Sequence, residues 1–512
     1  MALLYLGMQA KTLNLISILL GQVNLEANIL RSVPCYSICI LLVLITLKML
    51  KISLMKFRSH FALFSLLRML NMLFCCFISI IIPNFEDSLA EFVLTDGVGY
   101  LLMFVMINNG MYFIIDPDGP YGIGVKDIIL KGKRKTPRIL VYYPIDKNEY
   151  DQKVNDPNET LGLLVEGEGG VEGQCRAGAI IHGSSDAHPL IISLCPKNPA
   201  MFKPIVEDFK YSRIRALVSS ELHKDFKNGG KKLTPVIFSP GWGSSKNMYA
   251  TNTRYLASYG CIVFAISHTE GSNEFTCDYN QDPPKKLTYN HLDAKTNTDD
   301  HGRKYKDREE FFSISVDQRV KDIETLYEYI LECDFAQYLD IQKLVMYGHS
   351  LGGITAIECS RTMKADSGEP KFKACVALDP YYMGKLSKIM QNDDYKVEQP
   401  LFVVTSQTFK DSPITRDYYD NEETTAKFLQ NCRGGNKANP NVQDIAWKNT
   451  GHMNQMDTWV HSPVIARLLN FMGPINEAVE RAHELSKMVI TFMDKHEMLP
   501  VKLHQKEKMN NS

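Results

Sequence analysis

Ser350 stands between two glycines in Gly348-His349-Ser350-Leu351-Gly352-Gly353, after the apolar run Leu344-Val345-Met346-Tyr347 and before Ile354-Thr355-Ala356-Ile357-Glu358. That order reads as strand, sharp turn and helix. Glycine at 348 and 352 removes side chains that would collide with neighbouring backbone, so the turn can hold Ser350 in strained geometry with its hydroxyl exposed. The chemistry on offer is nucleophilic attack on a carbonyl carbon. The Leu351 N–H, at the start of the following helix, can point at the oxyanion that such an attack develops.

A serine hydroxyl is weak unless a base takes its proton, and the base needs a third group to hold its tautomer. Asp379 follows the apolar run Ala374-Cys375-Val376-Ala377-Leu378 and precedes Pro380, which puts a carboxyl at the carboxyl tip of the strand after the nucleophile helix. It is the preferred acid; Asp411, past the next strand in Thr405 to Ser412, is the rival. His452, in Thr450-Gly451-His452-Met453-Asn454, follows the last strand, where a loop can bring imidazole over the sheet edge. His461 falls in the helix after it, His483, His496 and His504 lie on or after a charged C-terminal helix that offers solvent, and His349 sits inside the turn and packs. A second oxyanion donor is expected from the loop after an early strand. Phe238-Ser239-Pro240-Gly241-Trp242-Gly243 fits, with the Trp242 backbone N–H as donor and its indole free to serve as an aromatic wall.

Several elements must exist to position these groups. Strands are expected at Pro235–Ser239, Cys261–Ser267, Lys343–Tyr347, Lys373–Leu378, Leu401–Thr405 and Val442–Trp447, with helical segments between them, which makes a mostly parallel sheet flanked by helices. Val125–Leu130 and Arg138–Tyr143 predict an antiparallel opening hairpin. Residues 150–232 show no clear periodicity and read as an insertion. The polar run from Thr276 to Glu310 reads as an excursion at the sheet's carboxyl edge, where ligands bind in open α/β sheets.

The chain of 512 residues is too long for one ordinary core, and its N-terminal part has a different texture. Residues 1–115 are rich in Leu, Ile, Met and Phe and nearly free of acids before Glu86. Val33–Leu50 and Phe61–Ile82 approach the length of a membrane span, and Phe92–Ile115 is a weaker third. Lys48, Lys51, Lys56 and Arg58 put the loop between the first two spans in the cytoplasm, because the link from Pro83 to Glu91 has no basic residue. The N-terminus then lies on the luminal or external side; two spans place the enzyme there, and three leave it cytosolic. The expected organisation is a multi-pass membrane region over 1–115, a catalytic domain over 116–499 and a polar tail over 500–512. With 57 basic and 58 acidic residues the formal charge is -1, so nucleic acid is not an expected partner. The 12 cysteines form neither a zinc pattern nor a disulfide framework, and no metal or other cofactor is called for.

From Gly119 to about Leu499 the sequence resembles the plasma-type platelet-activating factor acetylhydrolase family, the lipoprotein-associated phospholipases. The likeness is carried by Gly119-Pro120-Tyr121-Gly122-Ile123-Gly124, Tyr142-Tyr143-Pro144, Gly241-Trp242-Gly243, Leu256-Ala257-Ser258-Tyr259-Gly260, the Ser350 turn, Ala377-Leu378-Asp379, Pro400-Leu401-Phe402, His452 with Asn454 and Asp457, and an amphipathic helix from Asn476 to His496. The resemblance implies an α/β-hydrolase fold, with Ser350 as nucleophile, Asp379 as acid in preference to Asp411, His452 as base, and the Trp242 and Leu351 amides as oxyanion hole. It implies calcium-independent hydrolysis of the sn-2 ester of phospholipids with a short or oxidised acyl chain, through an acyl-enzyme. A broad carboxylesterase for small soluble esters is the rival enzyme reading, and a silent binding module is the rival of another class. The sequence departs from the family at Pro240, where histidine is usual, in the 150–232 section, and in the membrane region, which a secreted enzyme lacks.

Overall fold

The structure, a computed structural model, describes residues 116–130, 137–156, 158–162, 213–287, 289–293, 295–409, 421–434, 439–457 and 478–503. The candidate membrane spans, Asp411, His461 and His504 lie outside the described residues. Among the described residues no helix is long and apolar enough to cross a membrane.

Chain order begins with β1 (Gly122–Ile129), β2 (Arg138–Ile145), α1 (Lys147–Lys153), β3 (Thr160–Gly162), β4 (Arg213–Val218) and α2 (Lys224–Lys227). It continues through β5 (Thr234–Ser239), α3 (Ala250–Ser258), β6 (Cys261–Ser267), the short strands β7 (Thr276–Asp278), β8 (Lys285–Leu287), β9 (Leu292–Asp293) and β10 (Thr298–Asp299), and α4 (Arg308–Glu332). The second half holds β11 (Val345–His349), α5 (Leu351–Thr362), β12 (Ala374–Leu378), α6 (Leu386–Gln391), β13 (Leu401–Ser406), α7 (Asn421–Arg433), β14 (Val442–Trp447) and α8 (Ala478–Lys495).

Ten of the described strands build one sheet in the order β14-β13-β12-β11-β5-β6-β2-β1-β4-β3, and β7–β8 and β9–β10 pair apart from it. From β14 to β6 all neighbours are parallel, because a helix carries the chain back between consecutive strands. The hairpin β1–β2 is antiparallel as its spacing predicts, and longer than expected at its open end, where Gly122 pairs with Ile145. After β5 the chain moves to β6 on one side and then to β11 on the other, so the strand order reverses beside β5. In an open parallel sheet the crevice outside the carboxyl ends at such a reversal is where ligands bind. These strands are apolar along their whole length: β5, β6, β11 and β12 are buried at every position, which requires cover on both faces. That cover includes α3 packed against α8 and α4 packed against α5. On α8 the buried positions Ala482, Leu485, Ser486, Val489, Ile490 and Met493 repeat at three and four residues, one stripe of an amphipathic helix.

Three readings need correction. The strand expected at Lys343–Tyr347 runs from Val345 to His349, because Ile341–Lys343 closes a 3₁₀ turn and the extended backbone continues to the serine. The 150–232 section is not only an insertion. Residues 213–218 enter the sheet as β4, parallel to β1, and 160–162 pair with them as β3, although neither run alternates clearly enough to show this in sequence. His483 and His496 also do more than face solvent, since His483 sits edge-on to Tyr255 and His496 packs on Phe492.

Two carboxyls anchor α3. Asp116, the first described residue, takes hydrogen bonds from Arg254 on α3 at 2.6 Å, from Arg215 at 2.6 and 2.9 Å and from Tyr150 at 2.7 Å. Partial burial works against that carboxylate, but Arg215 and Arg254 hold it down at about 2. At the first turn of α3 Asp457 accepts the Thr251 N–H at 3.0 and 3.3 Å, a carboxyl on a helix N-terminus. Burial pushes Asp457 up to about 6 against those bonds and the attraction of Arg254. The sign follows directly. A carboxyl whose folded value is about 6 against 3.8 when unfolded contributes stability that is complete below 3.8 and lost as pH rises through 6. Asp457→Asn, which keeps an acceptor without the charge, should therefore leave stability unchanged near pH 4 and raise it by up to about 3 kcal/mol at pH 7 to 8, for a displacement of about 2 in pKa. Urea midpoints of both proteins across that range check this; equal pH slopes would refute it.

Candidate active site

The turn at 348–352 is tight because two backbone segments meet there. A Cβ on Gly348 would lie 2.0 Å from the Gly352 carbonyl oxygen, and one on Gly352 would lie 2.0 Å from that of Ser239. Between them Ser350 takes φ 57°, ψ −120°, a strained conformation for a residue with a side chain. The strain is held by hydrogen bonds: the Ser350 N–H donates to Leu378 O at 2.9 Å, and Ser350 O accepts from Tyr381 N–H at 3.0 Å and Gly353 N–H at 2.9 Å. The end of β12 therefore grips the serine from both sides.

His452 Nε2 is 3.1 Å from Ser350 Oγ, and its Nδ1 is 3.1 Å from Asp379 Oδ2. Asp379 is fully buried with φ 38°, a second strained residue, and its N–H donates to Val404 O at 2.7 Å. Its carboxyl also accepts the Ser406 N–H at 2.6 Å, the Ser406 hydroxyl at 2.6 Å and Gln455 Nε2 at 2.7 Å. Gln455 Nε2 donates to the same Oδ2 that faces Nδ1, so that oxygen serves as acceptor, which assigns the Nδ1 proton to His452 and leaves Nε2 to receive one from Ser350. The His452 ring lies 4.5 Å from Phe409 and nearly parallel to it, and 4.5 Å from His349. Burial and the adjacent His452 hold His349 well below its usual value, so it stays neutral and does not repel an imidazolium at His452.

Trp242 reaches the same place. A Cβ on Gly241 would lie 3.2 Å from Ser350 Cβ, so this loop touches the serine. The amides on either side are occupied: Gly241 N–H donates to Tyr249 Oη at 3.0 Å, and Gly243 N–H to Ser272 O at 2.7 Å. The Trp242 and Leu351 N–H groups donate to no partner among the described residues. The indole is half-buried against Tyr289, His291 and Phe312, so the excursion between β6 and α4 packs over the loop. Tyr249 ties the parts together, since its phenol is also 2.8 Å from His349 Nδ1, next to the serine.

The five residues singled out from sequence thus lie around one point. Sequence reasoning missed Ser406 and Gln455. Strand register could have found the first, because Leu378 pairs with Val404 and Ser406 stands two residues further on, beside Asp379. Gln455 is three residues past His452 in a 3₁₀ turn, where positions i and i+3 eclipse and both side chains reach the same carboxyl. Among the described residues two trios bring metal-ligand types within 4.8 Å of one another, His349 with Asp379 and His452, and His268 with Glu270 and Asp322. Most of these atoms are engaged by protein groups: His452 by Ser350 and Asp379, His349 Nδ1 by Tyr249, His268 by Ser239 and Asp322, and Glu270 by Arg319.

Residues 206–512 match the family described as platelet-activating factor acetylhydrolase, isoform II. Among curated proteins, the chain is 24% identical to a platelet-activating factor acetylhydrolase of Cavia porcellus over 74% of this chain and 77% of that one. It is 25% identical to the enzyme of that name from Bos taurus over 52% of this chain and 58% of that one. Among solved structures it is similar to a ferulic acid esterase from Streptomyces cinnamoneus, with a TM-score of 0.42 and 16% identity over 76% of this chain and 93% of that one.

Crowding at the turn makes a simple expectation. Gly352→Ala must displace the Ser239 or Pro240 carbonyl, both backbone, and should cost about 2 kcal/mol or more, as overpacking does, while separating the loop of Trp242 from Ser350. Urea unfolding and the rate of labelling by a fluorophosphonate check it. A variant with unchanged stability and labelling would contradict the contact.

Proposed function

The chain belongs to the platelet-activating factor acetylhydrolase, isoform II, family and is an ester-hydrolysing enzyme, and from that premise we propose a serine esterase that removes short or oxidised sn-2 acyl groups from phospholipids. The observation that supports it most is the relay Ser350–His452–Asp379, with hydrogen bonds of 3.1 Å at each step beside two undonated backbone amides. Ser350 Oγ attacks the sn-2 carbonyl carbon as its proton passes to His452 Nε2, and the oxyanion receives the Trp242 and Leu351 N–H groups. Collapse breaks the ester C–O bond, and His452 returns the proton to the departing lysophospholipid alkoxide. Water, deprotonated by the same His452, then attacks the acyl-Ser350 carbonyl; collapse breaks the bond to Ser350 Oγ, His452 returns the proton to that oxygen, and the acid is freed. Backbone amides supply the charge stabilisation, so calcium has no role in this scheme.

Chain-length preference has a physical source. Each buried methylene holds a lipid in the bilayer by about 0.8 kcal/mol, so a phospholipid with a two-carbon acyl group leaves the membrane far more readily than one with sixteen. Part of the selectivity is then substrate desorption. The apolar segments within 1–115 would keep the enzyme at a membrane surface, a tether that adds access to lipid and leaves the chemistry unchanged. Asn158, exposed in the turn before β3, heads a sequon that would report a luminal domain.

Ser350→Ala and His452→Ala should each remove nearly all turnover, and the double variant should lose little more, since such residues act as one unit. Asp379→Asn should cost several powers of ten. Purified enzyme should cleave an sn-2 acetyl phospholipid much faster than its long-chain analogue, and chelator should not reduce the rate. Equal rates on the two lipids, with small soluble esters cleaved as well, would favour a broad carboxylesterase.

A further inference from the structure

We propose that Arg319 is a positioning residue that aims the Trp242 amide at the oxyanion. The inference rests on the esterase reading above. Arg319 lies on α4 at a position the helix otherwise fills with core residues: Phe312, Val316, Ile323, Leu326 and Ile330 share its stripe. A guanidinium in that stripe is expensive unless its donors are met, and here they end on two neighbouring loops, at 240–241 and 270–272. Its side chain is fully buried. Nη1 donates to Pro240 O at 2.6 Å, Nη2 donates to the Ser272 hydroxyl and, at 3.4 Å, to Gly241 O, and Nε donates to Glu270 at 2.7 Å.

The consequence follows from peptide planarity. Gly241 C=O and Trp242 N–H belong to one rigid trans unit and point in opposite directions, so fixing the oxygen fixes the aim of the N–H. Arg319 and the Ser244 hydroxyl, at 2.8 Å, hold that oxygen. The preceding peptide is held likewise, its oxygen by Arg319 and its Gly241 N–H by Tyr249 at 3.0 Å. A positive charge on these carbonyls also polarises the peptide units and strengthens the amide as donor. One turn further along α4, Asp322 holds Thr269 by its N–H at 2.8 Å and its hydroxyl at 2.9 Å, and lies 3.3 Å from His268 Nδ1. His268 Nε2 is 2.8 Å from the hydroxyl of Ser239, the residue before Pro240. All three of Ser239, His268 and Asp322 are buried, so this arrangement is a brace for the loop and receives no substrate. Arg319 and Asp322 together make α4 the backing of the oxyanion loop.

The test uses the full chain with Arg319→Met and Arg319→Lys, each normalised by active-site titration with a fluorophosphonate. Per titrated site, Arg319→Met should lower kcat by about a hundredfold, the scale of losing one oxyanion donor, with KM little changed. Affinity for a trifluoromethyl ketone, whose hemiketal carries the oxyanion, should fall in parallel with kcat/KM, and Arg319→Lys should recover part of both. Should Arg319→Met fold poorly, Ser244→Ala removes the second grip on the same oxygen and should show the same split, reduced to about tenfold. Unchanged kinetics per titrated site, or a loss confined to the number of sites, would overturn the role while leaving the esterase intact. A wild-type chain that neither labels nor turns over esters would overturn the esterase reading and this role with it.

Discussion

Everything at this site depends on two backbone segments approaching closer than any side chain allows. The start of α5 lies on the end of β5, with room at Gly352 for a hydrogen and nothing more. That crowding sets the distance between the serine and the loop of Trp242, because neither segment can retreat without breaking the parallel pairing of β5 with β11. Ser350 and Asp379, the two non-glycine residues of the relay with positive φ, are each held by a hydrogen bond into the next strand. Strain of order 1–3 kcal/mol at each is thus carried by the sheet, and the side chains are fixed before substrate arrives.

The same residue types occur twice within this small volume with opposite consequences. Ser350, His452 and Asp379 form one series, and Ser239, His268 and Asp322 another. The first has its serine at a turn and its histidine partly exposed, so a substrate can reach the pair. The second is sealed, and burial with the nearby Arg319 lowers His268 from its ordinary value. A relay that cannot meet a substrate is a structural tie. Hydrogen-bonded residue types alone do not define a nucleophile; access does.

How much of this was legible in the sequence follows from the range of each signal. Local signals carried far: the glycines around Ser350, apolar runs that must be buried strands, and Asp379 and His452 placed directly after two of them. Strand ends were less sharp, as the shift of β11 shows, since Gly348 and His349 continue the strand for reasons of pairing. Non-local signals were silent. Nothing near residue 319 announces that its guanidinium ends on residues 240 and 272. Yet a charged residue on an apolar stripe is itself a mark, and Arg319 and Asp322 both carry it. The strands at 160–162 and 213–218 lacked alternation because their place is assigned by β1 and not by their own pattern.

Asp116 gives the domain a mechanical property. The chain ahead of it enters the fold at a carboxylate gripped by Arg254 of α3, by Arg215 of β4 and by Tyr150 of α1. Tension arriving along that chain would meet this ionic knot before it reached β1, and would spread as shear into three elements instead of peeling one strand from its neighbours. One of those elements is α3, whose first turn is bonded to Asp457 and Gln455, just beyond His452. The Asp116 knot at the middle of α3 and the His452 loop at its first turn are therefore joined by a single nine-residue helix.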